Sequence, residues 1–287
     1  MKRIRFLAMA AMVVLGCSAS SGDQTMVSVS IHSDGATITG RFFLADANGD
    51  RPTVLLIPGW PSNPQDGLED VLGLGGLLRD RGVNVLMIHP RGMFKSEGTT
   101  SFANALEDIK AAFDWLKSPQ QAAQYAIDTT RMAIAGHSWG GGVALAYAAR
   151  DPRVRRVASV AGTDHGAFIR EFDRNPEMAR MIGQWLSSTA APAGPVRFDL
   201  TALLEEMRQG QAIYGLRENA SALADRQILL VGGWEDRSVT IEDQLLPLYR
   251  ALRAAGAEQV RFVVYYDKHG FAGNREQIAD EIANLVK

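Results

Sequence analysis

The sequence predicts a wound α/β domain, in which a mostly parallel sheet carries helices on both of its faces. Six runs are rich in Val, Ile and Leu with little alternation, which is typical of strands buried on both faces of a parallel sheet. Helical patterns separate most of these runs, and such alternation of strand and helix favours a wound sheet. The 287 residues are enough for one large domain.

The first predicted element is an antiparallel hairpin. Two alternating segments in VSVSIHSDGATITGRFFLA flank Asp34-Gly35, and Asp-Gly in this position is a strong hairpin signal. Strands are then predicted at 53–59, 83–92, 131–136, 154–162, 227–233 and 260–266. Helices are predicted at 67–81, 102–117, 142–150, 241–256 and 274–287.

Residues 163–225 interrupt this alternation. They are too many for one crossover connection, and they contain at least two helical patterns with a Pro, Ala and Gly break between them. This segment is predicted to be a helical insertion, a lid over one edge of the sheet. Ligands of wound sheets bind at the carboxyl ends of the strands, so a lid there would shape a pocket.

The N-terminus has the layout of an export signal. A basic start, an apolar run and small residues occupy residues 1–16, and the only cysteine of the chain, Cys17, follows. The segment VLGC resembles the lipobox of bacterial lipoproteins, which implies a lipidated Cys17. Residues 17–25 are expected to form a tether, and residues 26–287 the folded domain. The alternative is plain secretion with cleavage after Ala19. Either way the protein is expected in the bacterial cell envelope or outside the cell, with membrane attachment only if Cys17 is lipidated.

Composition argues against several classes of function. The formal net charge is -2 and no basic stripe stands out, so no nucleic-acid partner is expected. Neither a zinc motif, a dinucleotide-binding glycine fingerprint nor a phosphate-binding loop is found. No metal and no cofactor are therefore expected.

The segment GHSWG, residues 136–140, places Ser138 among glycines between a predicted strand and a predicted helix. The pattern Gly-x-Ser-x-Gly at such a junction makes a tight, strained turn that exposes the serine hydroxyl. The helix amides that follow favour negative charge at that point. Ser138 is therefore the predicted nucleophile.

A serine nucleophile needs a base, and five histidines compete for that role. His32 lies in the first hairpin, His137 adjoins the nucleophile and His89 ends the second buried strand. His165 opens the predicted lid. Only His269, after the last strand, fits the chain order of serine, acid and histidine, and it is the predicted base.

The acid that orients His269 is predicted at a strand end. Asp236 stands three residues past the strand at 227–233, in a loop expected to face His269. Asp164 follows another strand end and is a rival, as is Glu235. A candidate carboxylate that does not orient His269 is expected to cap a helix or to lie in a solvated loop.

These residues together resemble the α/β-hydrolase family, most of all the catalytic domains of dienelactone hydrolase and prolyl oligopeptidase type. The similarity extends from SDGATITGRFF to DKHGFAG, nearly the whole mature chain. It implies the α/β-hydrolase fold and an oxyanion hole made of two backbone amides. The matching positions are Trp139, after the nucleophile, and Trp60, in IPGWP.

The loop HPRGMFKSEG resembles the family's Asp-x-Arg-Gly-x-Gly-x-Ser-x-Gly loop with two departures. His89 stands where Asp is frequent, and Met93 or Phe94 stands where a small residue is. Arg91 is expected to make structural hydrogen bonds. Pocket candidates are Trp234, Met93 and His165, with Trp60 and Trp139 beside them; packing in the core is the alternative for the tryptophans.

The sequence therefore predicts a serine hydrolase that cleaves a carboxylic ester through an acyl-enzyme. Ser138 would attack, His269 would take its proton and Asp236 would hold the imidazole. A peptidase acting on a short peptide is the second hypothesis, motivated by the prolyl-oligopeptidase resemblance. The third is a binding protein without catalysis, which would not need all three residues.

Overall fold

The computed structural model describes residues 26–46, 48–63 and 72–287. Eight strands form its central sheet: β1 (Met26–Ser33), β2 (Ala36–Phe43), β3 (Arg51–Ile57), β4 (Asn84–His89), β5 (Ile127–His137), β6 (Arg156–Val160), β7 (Gln227–Gly233) and β8 (Val260–Tyr265). The predicted signal peptide at 1–16, the candidate lipid site Cys17 and the tether at 17–25 lie outside the described residues.

The sheet order is β1-β2-β4-β3-β5-β6-β7-β8. Strand β2 pairs antiparallel with both β1 and β4, and every pairing from β4 to β8 is parallel. Asp34 and Gly35 both have positive φ, 39° and 76°, as the tightest hairpin turns require. The predicted mostly parallel sheet with an N-terminal antiparallel hairpin is confirmed.

Helices cover both faces of the sheet. They are α1 (Leu74–Arg79), α2 (Phe102–Lys117), α3 (Pro119–Tyr125), α4 (Trp139–Ala148), α5 (His165–Arg174), α6 (Pro176–Ser188), α7 (Leu200–Gln209), α8 (Gln211–Tyr214), α9 (Leu246–Ala254) and α10 (Arg275–Val286). A 3₁₀ turn spans Ala220–Leu223, and a π-helical turn at Ile241–Leu245 precedes α9. No described helix has the length and apolar content that a membrane crossing needs.

Alternate residues of the central strands enter two separate hydrophobic cores. Leu55 and Ile57 of β3 pack in the core that contains α2 and α4, whereas Val54 and Leu56 pack in the core that contains α1 and α10. This alternation explains why the strand has no polar face: each face meets a layer of helices.

Two elements differ from the prediction. Strand β8 reads as a buried run, yet Val264 is 40% exposed, because β8 is the last strand of the sheet and has a neighbour on one side only. Helix α3 was not predicted, although its start has an ordinary signal. Ser118 caps it by accepting a hydrogen bond from Gln121 N, and Pro119 occupies its first turn.

Helices α5 to α8 lie between β6 and β7, in the segment predicted to be a lid, and that name is kept for it below. A short extended piece of the lid pairs with the loop after β4: Arg197 N donates to Gly92 O at 2.8 Å, and Thr100 N donates to Arg197 O at 2.7 Å. At the start of α2, the Glu206 carboxylate accepts from the first two helix amides at 2.8 and 2.7 Å. These bonds fasten the lid to loops at the carboxyl end of the sheet.

Candidate active site

Ser138 occupies the sharp turn between β5 and α4. Its φ and ψ are 55° and -122°, a conformation that non-glycine residues rarely adopt. Its amide donates to Val160 O at 2.9 Å, and its carbonyl accepts from Gly142 N and Thr163 N at 3.2 and 3.1 Å. The surrounding backbone therefore holds the serine in this strained conformation.

The two glycines of the motif are required by close backbone contacts. A Cβ on Gly136 would lie 2.3 Å from the carbonyl oxygen of Gly140. A Cβ on Gly140 would lie 2.3 Å from the carbonyl oxygen of Pro58. Real Cβ atoms do not approach oxygen so closely, so any larger residue would displace either α4 or the loop after β3.

The Ser138 hydroxyl is the first group in a chain of hydrogen bonds. Its Oγ lies 2.9 Å from His269 Nε2, and His269 Nδ1 lies 2.7 Å from Asp236 Oδ2. The other oxygen of Asp236 accepts from the amides of Ser238 and Val239 at 2.8 and 2.9 Å. The carboxylate thus accepts a hydrogen bond from the protonated Nδ1, and the lone pair of Nε2 is directed at the serine hydroxyl.

Exposure changes along this chain of groups. The Asp236 side chain is fully buried, whereas the His269 side chain is 28% exposed. Because the carboxylate is removed from water, its two amide donors and the imidazole fix its orientation. The imidazole remains reachable from solvent.

The rival acids are engaged elsewhere. Asp164 caps α5 by accepting from Ala167 N at 3.1 Å, and it pairs with Arg217 at 3.2 Å. Glu235 is exposed and hydrogen-bonds Tyr266. The structure therefore brings Asp236 to His269 and neither of the other two.

Three of the other histidines are buried and neutral. Burial lowers the pKa of His137 and of His165 to about 3, and burial together with the charge of Arg41 lowers the pKa of His89 to about 4. His32 is exposed in the hairpin. None of these four has a ring nitrogen bonded to Ser138.

The loop after β3 lies against the nucleophile. A Cβ on Gly59 would be 3.3 Å from Ser138 Cβ, which places the next residue, Trp60, at the site. Trp139 is the first residue of α4, where backbone amides have no acceptor within the helix. The Trp60 and Trp139 rings pack edge to face at 5.9 Å. Two backbone segments, the loop after β3 and the start of α4, therefore flank Ser138.

Comparison with known proteins agrees with this architecture. A sequence family described as alpha/beta hydrolase fold matches residues 52–191. The chain has the α/β-hydrolase fold. A search of curated proteins finds no match. The matched residues include the turn at Ser138 and end within the lid.

Solved structures share the whole architecture at low sequence identity. DcsB is 16% identical over 91% of this chain and 98% of its own, with a TM-score of 0.65. The esterase Est22 is 15% identical over 91% and 80%, with a TM-score of 0.65. The Pyrococcus furiosus esterase Pf2001 is 18% identical over 91% and 90%, with a TM-score of 0.65. At such identities the likeness concerns the hydrolase fold.

The pocket candidates occupy different environments in this hydrolase fold. Trp234 is 62% exposed, past the end of β7. Met93 is fully buried and bridges to Val196 of the lid. His165 is buried with its ring 4.6 Å from that of Phe102. Their contact with substrate stays a prediction.

An aromatic cluster lies beside Ser138. The Trp60 ring contacts those of Trp139 and Phe198 edge to face, and Phe102 packs at 6.1 Å from Trp139. The Trp60 indole also donates to Thr189 Oγ1 of the lid at 2.9 Å. Trp60 thus connects the loop after β3 to the lid, while Trp139 combines burial in the cluster with a place next to the nucleophile.

Arg91 makes the structural hydrogen bonds expected of it. Its backbone amide and its Nε donate to the two oxygens of Asp108 at 2.6 and 2.7 Å, and Ser33 Oγ donates to Asp108 at 2.6 Å. All three residues are buried. Asp108 was not singled out by the sequence, because an Asp in a helical pattern reads as a surface residue until its neighbours are known.

Sequence reasoning, which noted only that His137 adjoins the nucleophile, also missed where its side chain lies. Its Nε2 lies 3.0 Å from the backbone oxygen of His269. Adjacency to Ser138 was the only available signal, and it says nothing about the direction of the ring. Among the described residues no group of His, Cys, Asp and Glu is arranged to hold a metal ion.

Proposed function

We propose that this protein is a serine hydrolase that cleaves carboxylic esters of small molecules through an acyl-enzyme. The observation that carries the proposal is the unbroken hydrogen-bond chain from Ser138 Oγ through His269 to the buried Asp236, at 2.9 and 2.7 Å. The occurrence of esterases among proteins of the same fold, Est22 and Pf2001, supports the same choice.

In the first half-reaction Ser138 Oγ attacks the ester carbonyl carbon while its proton passes to His269 Nε2. The carbonyl oxygen becomes an oxyanion, for which the amides of Trp60 and Trp139 are the proposed donors. The tetrahedral intermediate collapses when the ester C–O bond breaks, and the Nε2 proton goes to the departing alcohol. Asp236 stabilises the imidazolium that forms between these transfers.

In the second half-reaction water attacks the acyl-enzyme and gives its proton to His269. The bond to Ser138 Oγ then breaks, the serine regains the proton and the carboxylic acid leaves. Because a protonated imidazole has no lone pair at Nε2, turnover should decline on acidification.

The first experiment is labelling with a fluorophosphonate probe, which reacts with activated serines. We expect labelling of the wild type and of the control Ser221→Ala, an exposed serine remote from the motif, and none of Ser138→Ala or His269→Ala. Labelling that persists in Ser138→Ala would assign the nucleophile elsewhere. A folded wild type that takes no label would favour a non-catalytic binding protein.

A substrate panel then separates ester from amide cleavage. Aryl esters and aminoacyl-arylamides of matched acyl groups would be compared by kcat/KM. The proposal expects the esters to be preferred by more than the difference in their uncatalysed reactivity. Efficient arylamide cleavage would replace the esterase proposal with a peptidase of the same mechanism.

A further inference from the structure

His137 contacts three segments that meet at the proposed active site. It is the last residue of β5, directly before Ser138, and it is buried. Its ring lies 4.7 Å from that of His269, and its Nε2 lies 3.0 Å from the His269 backbone oxygen. On its other side, a Cβ on Gly59 would lie 3.1 Å from its Nδ1. His137 thus belongs to the strand that ends at the nucleophile, hydrogen-bonds the loop that contains His269 and lies next to the loop that carries Trp60.

The hydrogen bond determines the state of this imidazole. A carbonyl oxygen only accepts, so Nε2 of His137 must carry a proton and donate it to His269 O. The pKa of His137 is lowered to about 3, chiefly by burial and next by the nearby His269, so the ring is neutral at working pH. A neutral ring adds no positive charge beside His269 when His269 itself becomes protonated during the reaction.

Several contacts hold the loop that carries His269: Glu235 N donates to Asp267 O at 2.9 Å, and the Phe271 side chain is fully buried. After β8 ends at Tyr265, the residues up to α10 are irregular, with local hydrogen bonds such as Phe271 N to Lys268 O and Gly273 N to Asp267. Asp236 holds the imidazole ring of His269, whereas His137 holds its backbone. The two contacts together determine where Nε2 lies relative to Ser138 Oγ.

We propose that His137 is a positioning residue that sets the distance between the catalytic imidazole and the nucleophile. The proposal rests on the proposed function of Ser138 and His269. His137 does not touch the reacting atoms; it acts through the backbone of His269. A displacement of about 1 Å in a catalytic group can lower the rate by about 100-fold, so a single backbone hydrogen bond is enough to matter.

The test compares three substitutions of His137. His137→Phe keeps the ring and loses the donor, His137→Gln carries an amide donor long enough to reach His269 O, and His137→Asn carries the same donor on a shorter chain. We expect His137→Phe and His137→Asn to lower kcat by about 10- to 100-fold, with KM changed less than about 3-fold. His137→Gln should recover most of the kcat.

The rate of fluorophosphonate labelling should fall and recover in the same order, because it reports Ser138 activation without substrate binding. Equal kcat values for the Gln and Asn variants would overturn the positioning role even if His137→Phe fails to fold. A His137→Phe variant as fast as the wild type would overturn it as well. In both of these cases a labelled, active wild type leaves the serine-hydrolase proposal intact, whereas a wild type without label or turnover overturns both proposals.

Discussion

Two hydrogen-bonded sets in this molecule are made of the same kinds of side chain. Each contains a serine hydroxyl, a basic group and a buried aspartate. In one set Ser138, His269 and Asp236 form a line, with the base in the middle. In the other set Ser33 and Arg91 both donate directly to Asp108, at 2.6 and 2.7 Å.

The order of the hydrogen bonds decides whether a set can transfer a proton or can only stabilise the fold. A hydroxyl that donates to a neutral imidazole can lose its proton to a base that later returns it. A hydroxyl that donates to a carboxylate has no neutral imidazole to take its proton, and the guanidinium of Arg91 cannot take it, because it stays charged and has no lone pair. Access differs too: the His269 side chain is 28% exposed, whereas Asp108 and Arg91 are buried.

The largest expected effect comes from Asp236→Asn. The asparagine oxygen can still accept from Ser238 N and Val239 N, but its NH₂ group would face His269 and favour the wrong tautomer. We expect kcat for an ester to fall by about 10⁴-fold with little change in the urea midpoint. Glu235→Gln, the exposed neighbour, is the matched control and should retain activity. A fall of less than about 10-fold in Asp236→Asn would remove Asp236 from the mechanism.

The reverse result is expected at the second aspartate. Asp108→Ala leaves the buried Arg91 guanidinium without its main partner and should lower the free energy of unfolding by about 3–5 kcal/mol. Ser33→Ala removes one donor from the same carboxylate and should lower it by about 1 kcal/mol. Urea titration would measure both. The comparison between the two sets fails if Asp108→Ala is as stable as the wild type while its folded fraction loses turnover.

The smallest expected effect is the pH dependence of stability that the three buried histidines cause. Unlike His269, these imidazoles are kept neutral by burial. Their pKa values, lowered to about 3 or 4, lie below the ordinary value of 6.5. The unfolded chain therefore binds protons that the folded chain does not, so stability is complete above pH 6.5 and is lost as pH falls toward these values. Each such histidine contributes a slope of up to about 1.4 kcal/mol per pH unit.

Urea unfolding between about pH 6.5 and pH 4.5 measures this slope before most carboxylates titrate. His165→Leu removes one of the three groups and should reduce the slope by about 1.4 kcal/mol per pH unit. An unchanged slope in His165→Leu would mean that this imidazole takes up its proton in the folded state as readily as in the unfolded chain.

Local sequence patterns were sufficient to predict the hairpin turn, the central strands and helix α2. The Asp34-Gly35 turn, the buried runs of β3 to β7 and helix α2 were all readable, because each depends on short-range turn chemistry or on residue periodicity. Strand β8 was read as buried, since periodicity does not tell an edge strand from a central one. Helix α3 was overlooked because it directly follows α2, despite the Ser118 cap.

The sequence by itself determined the fold class, the strained turn at Ser138 and the candidate partners His269 and Asp236, since these depend on neighbouring residues and on chain order. Only the tertiary structure decided that Asp236 rather than Asp164 or Glu235 meets His269, that Asp108 joins Ser33 to Arg91, and that His137 turns toward the His269 backbone. These contacts join residues 17 to 132 positions apart in the sequence. In the case of the acid, the local sequence also favours several carboxylates about equally. Such contacts depend on the packing of strands and loops, which no local pattern contains.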